Sequence, residues 1–559
     1  MTRSRVELVI VNARPWSDGA PMADADALAI GGGRILAVGR AEAITSLAGP
    51  GASTLDARGG TVTPAFTDAH IHLVAWARSR GALELFDCAS RAQALERVAG
   101  YLARHPAGGD GHDVVVGRGW DANPWHDAPD RASLDRVTGS RPVILHSKDF
   151  HSLWVNSAAL ARAGVRRATA DPSGGRLERD AAGEPTGIVR EHAVRLFASL
   201  APAEGFERDL ARARDAARAL HAEGVTAVHD FEGADEHRVL RALTRGGGAR
   251  VRVLMHLPHA GLDNALALGL ASGTGDDAFR IGSLKLFADG TLGSQTAAML
   301  APYEGRADRG LELIAPAELS ALVRRAAAGG IATAIHAIGD RAVRSALDAF
   351  EAMRRATTAA SAPPALSPRV EHVQLLDPSD LPRFTDIGVA ASMQPLHCTS
   401  DIDIARRHWG ERSERAYPWG SLRARGTLLA FGSDAPVEPP TTAAALHSAT
   451  TRERADGTPA GGFVAGERLT LDQALTAYTE GPARLAGTWP RLGRLAPGAT
   501  ADLALWSADL HRLAPALLAR AQVMATVLEG DIVFRREEGA AAEPPLAAQA
   551  AEVASRSRR

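Results

Sequence analysis

Short apolar runs recur along the middle of the chain, and a stretch with helical character follows each of them. Eight such runs predict eight strands, at residues 61–66, 225–231, 251–257, 283–287, 331–335, 369–373, 389–394 and 428–431. Strands that alternate with helices are typical of a parallel α/β fold, and eight units favour a closed (β/α)₈ TIM-type barrel over an open sheet. We therefore expect functional side chains at the C-terminal ends of these strands, where such barrels place their active sites.

Shorter strands separated by glycine turns occupy both ends of the chain. Residues 6–11 and 27–39 form one set, and residues 501–506 and 523–533 form a second set with the same pattern. The simplest arrangement is one small β-sandwich domain to which both termini contribute. We expect this domain to comprise residues 1–60 and 488–535, and the barrel to comprise residues 61–487. Residues 536–559 are rich in Ala and Glu, and we expect a disordered tail there.

A large insertion follows the first predicted barrel strand. Residues 74–224 separate the first two strands, which is far more than one crossover helix requires. We interpret this segment as an inserted subdomain or lid. It contains four of the nine tryptophans, and Trp120 and Trp154 among them are candidates for an apolar wall of the substrate pocket. The alternative is that they form the core of the subdomain itself.

Composition and charge narrow the classes of function. The 559 residues are 45% hydrophobic and 23% charged, as in an ordinary globular protein. With 65 acidic and 63 basic residues, the formal charge of -2 gives no electrostatic reason to expect nucleic acid or a membrane as a partner. Two cysteines are too few for a disulfide framework, and the N-terminal residues resemble a strand rather than a signal peptide. We therefore expect a cytoplasmic protein.

Almost all basic residues of this chain are arginine, and lysine is rare. Lys148 and Lys285 are the two lysines among 63 basic residues. A lysine that remains in such a chain is a candidate for chemistry that needs a primary amine, which a guanidinium cannot supply. Lys285 lies within a predicted barrel strand, followed by a glycine-rich turn. Lys148 either faces the pocket or is a solvated loop residue.

Residues of the kinds that bind metals end several predicted barrel strands. His70 and His72 lie two positions apart, so on a strand both imidazoles point the same way, and Asp68 would share their face if the strand extends that far. One such pair is weak evidence in a chain with 19 histidines. The strand ends together supply six candidates on one rim, namely His70, His72, Lys285, His336, His372 and Asp434. A single histidine is more often a hydrogen-bonded core or surface residue, but this joint placement predicts a metal centre.

Longer motifs surround these residues and continue through the insertion. These motifs occur in the order typical of one known family, and the match covers about residues 6–535. The motifs are Pro64-x-x-x-Asp68-Ala-His70-x-His72, Gly119-Trp120-Asp121, His151-Ser-Leu-Trp-Val-Asn156, Thr186-Gly-Ile-Val-Arg190-Glu191, Lys285-Leu-Phe-x-Asp289-Gly290, His336-Ala-Ile-Gly-Asp340-Arg341, Glu371-His372, Gln394-Pro-x-His397 and Gly432-Ser-Asp434-x-Pro-Val437. By these motifs the chain resembles the amidohydrolase superfamily, in the branch of YtcJ-like metal-dependent hydrolases that includes N-substituted formamide deformylase. The combination is specific for the family and poorly specific for the substrate.

The resemblance implies a centre with two divalent metal ions. Imidazole and carboxylate ligands suit Zn²⁺, with Mn²⁺, Fe²⁺ or Ni²⁺ as alternatives. The implied ligands are His70, His72 and Asp434 for one ion, His336 and His372 for the other, and a carbamate made from the Lys285 amine and CO₂ as the bridge between them. A carbamate is an anionic ligand with two oxygens, which arginine cannot form. Asp434 also serves as the catalytic base in this scheme.

The implied function is a hydrolase of non-peptide C–N bonds, acting on an amide or an N-substituted formamide through attack by a metal-bridging hydroxide. The alternative on the same metal centre is hydrolysis of a cyclic amide or an ester, or deamination of a ring. Deaminase-like relatives typically use one metal and no bridging lysine, so Lys285 favours two ions. The non-enzyme alternative is a catalytically silent barrel that acts as a binding or scaffold protein. A complete ligand set disfavours it, because buried polar groups without a metal carry a desolvation cost.

The expected partner is a small amide-type substrate with an apolar or aryl group. Candidate substrate contacts are Trp120, His151, Trp154, Asp289 and His397. Asp289 either orients a ligand or shapes the turn after Lys285. Arg190 and Glu191 are expected to fasten the insertion to the barrel. A homodimer is one option that the sequence leaves open.

Overall fold

Eight parallel strands form a barrel at the centre of the molecule. The computed structural model describes residues 5–86, 88–106, 114–200, 205–245, 249–356 and 364–537. In order around the barrel the strands are Phe66–Ile71, Val225–Asp230, Arg252–Pro258, Phe279–Phe287, Thr333–Ala337, Arg369–His372, Ala390–Met393 and Leu429–Phe431. The first and last strands meet where the Asp434 amide donates to His70 O at 2.6 Å and the His72 amide donates to Ala435 O at 2.9 Å. The predicted barrel fold is confirmed.

Helices surround the barrel and bury their apolar faces against it. In Asp340–Ala356, for example, the buried side chains Val343, Leu347 and Phe350 recur at the spacing of one helix face. Burial of each such side chain contributes about 1.5–3 kcal/mol to folding. The helices of this layer are Leu73–Ser79, Phe206–Ala222, Ala234–Arg245, Leu262–Ala267, Pro316–Ala328, Asp340–Ala356, Arg383–Ile387, Pro395–Ser400, Ile402–Trp409, Trp419–Ala424, Thr442–Thr451, Leu471–Tyr478 and Glu480–Leu485.

The first barrel strand begins later than predicted. Thr61–Pro64 pairs with Leu503–Trp506 and with Arg14–Ser17, so it belongs to the sheet formed by the chain termini. The barrel strand starts at Phe66 and contains His70, and His72 follows its last residue. One continuous apolar run therefore covers two strands of different sheets, which hydrophobicity alone does not separate.

Two sheets pack face to face beside the barrel, one built from N-terminal residues alone and the other from both chain termini. Apolar side chains from both sheets, such as Ile10, Leu28, Leu503 and Val527, form one buried cluster. The four-stranded sheet has the order Arg34–Gly39, Ala27–Gly31, Leu8–Val11 and Ser53–Asp56, with helix Ala41–Thr45 beside it. The six-stranded sheet has the order Asp531–Arg535, Val523–Leu528, Leu503–Trp506, Thr61–Pro64, Arg14–Ser17 and Ala20–Pro21. Of the tail predicted to be disordered, residues 538–559 lie outside the described residues.

The insertion has its own six-stranded sheet. Its order is Gly175–Arg179, Pro185–Glu191, Ser152–Val155, Val143–Ser147, Val115–Trp120 and Leu83–Glu84. The helices Arg91–Arg104, Arg131–Thr138 and Ser157–Arg162 and the 3-10 helix His192–Leu200 accompany it. The flanking helices Leu73–Ser79 and Phe206–Ala222 pack on each other and on the barrel, so the separate layer is shorter than residues 74–224. Within the described ranges no helix is long and apolar enough to cross a membrane.

Candidate metal centre

The six side chains predicted to bind metal meet at the C-terminal mouth of the barrel. The Lys285 Nζ atom lies 3.5 Å from His70 Nε2. Asp434 Oδ1 lies 3.5 Å from His70 Nε2 and 3.4 Å from His72 Nε2. The His372 ring centroid is 4.9 Å from that of His70 and 4.6 Å from that of His336. The structure therefore places all six in one cluster.

Hydrogen bonds from the surrounding protein fix the orientation of three of these imidazoles. Each ring uses one nitrogen for a protein partner, which leaves its other nitrogen for the cluster and selects one tautomer. The contacts are His70 Nδ1 to Glu371 Oε2 at 2.7 Å, His372 Nδ1 to Gln394 Oε1 at 2.9 Å, and His336 Nε2 to Gly290 O at 3.0 Å. This is the arrangement in which metal-binding histidines are held.

The donor set fits a divalent cation. Ligand atoms of His70, His72 and Asp434 lie within 4.8 Å of one another, and so do those of His372, His397 and Asp434. Burial lowers the pKa of His70 and His372 well below the ordinary value, so both rings are neutral and offer a lone pair. His397 Nε2 is buried and has no hydrogen-bond partner among the described residues. A bound cation would compensate for such a buried, unpaired donor atom.

Lys285 occupies an unusual position for an amine. Its side chain is 3% exposed, and its Nζ atom lies 4.3 Å from the Phe231 ring centroid and 4.8 Å from that of Phe287. Burial lowers the pKa of Lys285 to about 8, although the carboxylates of Glu371 and Asp434 oppose the shift. About a tenth of the amine is then uncharged at neutral pH, far more than for an exposed lysine. The uncharged amine is the form that can react with CO₂.

Asp434 is the one carboxylate that belongs to both candidate ligand groups. Burial opposes its ionisation, but the hydrogen bond with His72 and the positive charges nearby lower its pKa below the ordinary value. Its backbone has a φ of 58°, a left-handed conformation that is uncommon for a residue other than glycine. The residue is held there by the hydrogen bonds that close the barrel.

A buried arginine lies beneath the cluster and was not anticipated. Arg369 Nε lies 2.5 Å from Glu371 Oε1, and the other oxygen of Glu371 contacts His70. The same guanidinium bonds to His229 Nδ1 at 2.9 Å and His256 Nε2 at 3.2 Å. Arg369 and Glu371 are 1% and 0% exposed. Two opposite charges, two positions apart within one predicted barrel strand, are the sequence signal that could have indicated this pair.

The candidate substrate contacts differ in where the structure places them. His151, His397 and Trp120 line a cavity of about 560 Å³ above the cluster. Trp154 does not line it, because its ring is fully buried in the insertion and packs on Trp120 with centroids 6.2 Å apart. For Trp154 the alternative explanation, a core residue of the subdomain, is the correct one.

Asp289 also does not line the cavity. Its carboxylate is 0% exposed and accepts the backbone N–H groups of Ala298, Ile338 and Gly339 at 2.8 to 3.0 Å. These bonds connect the turn after Lys285 to the end of the fifth barrel strand. Asp289 therefore shapes the loop, and its Oδ1 atom also lies 3.6 Å from His336 Nε2.

The insertion forms one wall of the cavity and is fastened to the loop after Lys285. Arg190 donates to Ser294 O at 3.1 Å, and Glu191 accepts the hydroxyl of Thr296. Glu191 also lies 2.6 Å from His151 Nδ1. Burial disfavours the protonated ring, but the Glu191 charge raises the pKa of His151 to about 9. The insertion thus brings a cationic imidazole to the cavity.

Comparisons with known proteins agree with this geometry. The model of the amidohydrolase family matches residues 53–534. YtcJ of Bacillus subtilis (strain 168), named as a candidate amidohydrolase, is 30% identical over 87% of this chain and 91% of its own length. The N-substituted formamide deformylase of Arthrobacter pascens is 29% identical over 96% of this chain and 99% of its own length. The crystal structure of an uncharacterized metal-dependent hydrolase from Pyrococcus furiosus superimposes with a TM-score of 0.67 at 29% identity, covering 88% of this chain and 97% of that one.

Proposed function

We propose that this chain, which belongs to the amidohydrolase family and is a metal-dependent hydrolase, cleaves the C–N bond of amides and in particular of N-substituted formamides. The observation that carries the proposal is the meeting of Lys285, Asp434 and the four histidines at the barrel mouth. The similarity to a formamide deformylase over nearly the whole of both chains supports the choice of bond.

The residues of the cluster suit two divalent ions, and Zn²⁺ fits their nitrogen and oxygen donors. His70, His72 and Asp434 would hold one ion, His336 and His372 would hold the other, and a carbamate on Lys285 would connect them. When bound, such ions polarise a carbonyl group and bring the pKa of a coordinated water close to neutral. The location of His397 beside Asp434 makes it a further donor to the same region.

Asp434 is the proposed general base. Because its pKa is low, its carboxylate is ionised at neutral pH and can accept a proton from water. It then returns the proton to the nitrogen of the leaving amine, so that the amine departs neutral. His397 Nε2 lies 3.8 Å from Oδ2 of this carboxylate.

His151 is proposed to orient the substrate. Its Nδ1 atom is committed to Glu191, and its ring lies 5.5 Å from that of His336. The ring carries a positive charge at neutral pH, so it can donate a hydrogen bond to a substrate oxygen. Substrates with an apolar or aryl group are favoured because the wall of the cavity is partly apolar, with Trp120, Trp125, Ile188, Leu292, Ile404 and Val437 among its side chains.

A substrate screen on metal-loaded protein tests this function. The protein is incubated with Zn²⁺ and bicarbonate, its metal content is measured by mass spectrometry, and N-formyl amines, N-acyl amines, lactams and esters are compared. We expect close to two metal ions per chain and the highest kcat/KM with an N-substituted formamide, with release of formate. Fewer than one ion per chain and no turnover would instead favour a silent barrel. A preference for lactams or esters would move the activity to the cyclic-amide or ester class.

A further inference from the structure

Three segments around the cavity share one arrangement. Each contributes a residue close to the metal cluster and, three or four positions along the chain, a charged residue that also lines the cavity. The inner residues are His151, His397 and Asp434, and the corresponding outer residues are Lys148, Asp401 and Glu438. The outer three form a second polar group, which the proposed hydrolysis does not use.

Lys148 and Glu438 make the central contact of this second group. Lys148 Nζ lies 2.9 Å from Glu438 Oε1, and the two side chains are 29% and 10% exposed. Burial lowers the affinity of Lys148 for its proton, but Glu438, Asp401 and Asp121 more than compensate and raise its pKa. The residue is therefore an ammonium at neutral pH. Because an ammonium has three N–H groups and Glu438 Oε1 occupies one direction, Lys148 can also donate to a bound ligand.

The carboxylates around Lys148 determine which ligand it can accept. Asp401 Oδ2 is held by the Tyr417 hydroxyl at 2.5 Å, and Glu438 is held by Lys148. The carboxylates of Glu438, Asp401 and Asp121 already act on Lys148, so they disfavour a further anionic group beside its ammonium. An uncharged oxygen would accept a hydrogen bond from the ammonium without this penalty.

The lysine content of the chain supports a role beyond a simple ion pair. Arginine pairs with carboxylates at many sites in this molecule, for example Arg78 with Asp209 and Arg252 with Asp502. Yet both lysines of the chain line the same cavity. A compact ammonium leaves room for a ligand that the larger, planar guanidinium would occupy.

We propose that Lys148, held by Glu438, forms a second subsite that binds an uncharged hydrogen-bond acceptor, such as a carboxamide or ketone oxygen, on a substituent of the substrate. The inference rests on the proposed hydrolysis of C–N bonds. It assigns Lys148 to substrate selection, whereas the metal cluster carries the reaction.

A matched pair of formamides tests the subsite. Both are N-formyl alkylamines of equal chain length, and one ends in a primary carboxamide while the other ends in an isopropyl group of similar shape. We expect the wild-type enzyme to prefer the carboxamide by about tenfold in kcat/KM, the value of one moderate hydrogen bond to a charged donor. Lys148→Met should abolish the preference by raising KM for the carboxamide substrate. KM for the isopropyl substrate should change by less than about twofold.

Two further variants separate the subsite from general damage. Lys148→Arg keeps the charge but fills the space, so it should also reduce the preference. Arg97→Met is the matched control, because Arg97 donates to Phe86 O at 2.7 Å within the insertion and does not line the cavity. This control should change kcat/KM for the two substrates by the same factor. Metal content and circular dichroism verify that each variant is folded and loaded.

The outcomes are distinct. An equal loss for both substrates in Lys148→Met, or an unchanged preference, would overturn the subsite. A substrate ending in a carboxylate that is preferred over the carboxamide would overturn the choice of an uncharged acceptor. If loaded wild-type protein cleaves neither formamide, the proposed reaction fails, and the subsite is then measured by calorimetry with the corresponding amines. If the amine that ends in a carboxamide binds more tightly than the isopropyl amine, and Lys148→Met abolishes this difference, the subsite is supported. Equal binding of the two amines to the wild-type protein would overturn it.

Discussion

Lys285 Nζ lies 3.5 Å from His70 Nε2, although 215 positions separate the two residues in the chain. Two basic groups tolerate this proximity because each is buried and the surroundings disfavour a proton on the imidazole. Asp434 Oδ1 lies 3.5 Å from the same His70 nitrogen, and its charge opposes the loss of the Lys285 proton. Burial nevertheless lowers the pKa of Lys285 to about 8, and the uncharged fraction of the amine is the physical reason to expect a modified lysine here.

A carbamate on Lys285 should be observable by ¹³C NMR. Protein loaded with metal and ¹³C-bicarbonate is expected to show one carbamate carbonyl resonance. Lys148→Arg, which leaves Lys285 as the single lysine, should retain that resonance, and Lys285→Arg should lose it. Lys285→Arg should also lower kcat/KM by about a thousandfold or more, because a ligand shared by both ions would be lost. A resonance that persists in Lys285→Arg would contradict the assignment.

Glu371→Gln should weaken metal binding without removing a ligand. The carboxylate fixes the ring of His70 through a 2.7 Å contact. Changes to groups that orient a metal ligand typically cost about 10- to 100-fold in metal affinity or activity. Competition with a chelator gives the affinity, and Gln394→Glu, which alters the partner of His372 instead, provides the comparison. An unchanged affinity in Glu371→Gln would show that the contact has no role in holding the metal.

Arg369 and Glu371 should depend on each other for stability. Replacing Arg369 by Met leaves the buried carboxylate of Glu371 without its cationic partner, and such losses typically cost about 3–5 kcal/mol in the free energy of unfolding. The double variant Arg369→Met with Glu371→Leu should recover part of that loss. Urea unfolding of the four proteins gives the coupling energy, and additive effects of the two single changes would rule out a coupled pair.

The stability of the protein should fall at alkaline pH through His151. Its pKa is raised from 6.5 to about 9 in the folded state. Stabilisation by the charged ring is therefore complete below pH 6.5 and is lost as the pH rises through 9, with an upper limit of about 3 kcal/mol. Urea unfolding of the wild type and of His151→Gln at about pH 6 and about pH 10 measures the difference. Equal pH dependence in the two proteins would exclude this contribution.

Trp120 and Trp154 should respond differently to substitution. Trp154→Ala removes a fully buried side chain and should destabilise the protein by about 3–5 kcal/mol, with KM unchanged in the fraction that remains folded. Trp120→Ala should raise KM for aryl-substituted substrates, because Trp120 lines the cavity. Thermal unfolding and steady-state kinetics separate the two effects. An unchanged KM in Trp120→Ala would show that the apolar wall does not contribute to substrate binding.

The sequence predicts the barrel and its mouth well because both depend on local patterns. The strand-like runs at His336 and His372 can be identified without knowing their neighbours, whereas the run before His70 conceals a change from one sheet to another. The role of Trp154 cannot, because a tryptophan in a pocket wall and one in a core have the same local sequence. Asp289 illustrates the same limit, since its three partners are backbone groups from two other segments. Arg369 was missed because its charge is compensated only after the barrel closes.

The seam between the first and last barrel strands passes through His70, His72 and Asp434. These residues come from opposite ends of the barrel sequence, so a growing polypeptide on the ribosome cannot join them until nearly all of the barrel has been translated. Nascent or truncated chains would lack a complete cage for the cation. In the proposed ligand scheme, the full set of donors therefore exists only after Asp434 has been translated.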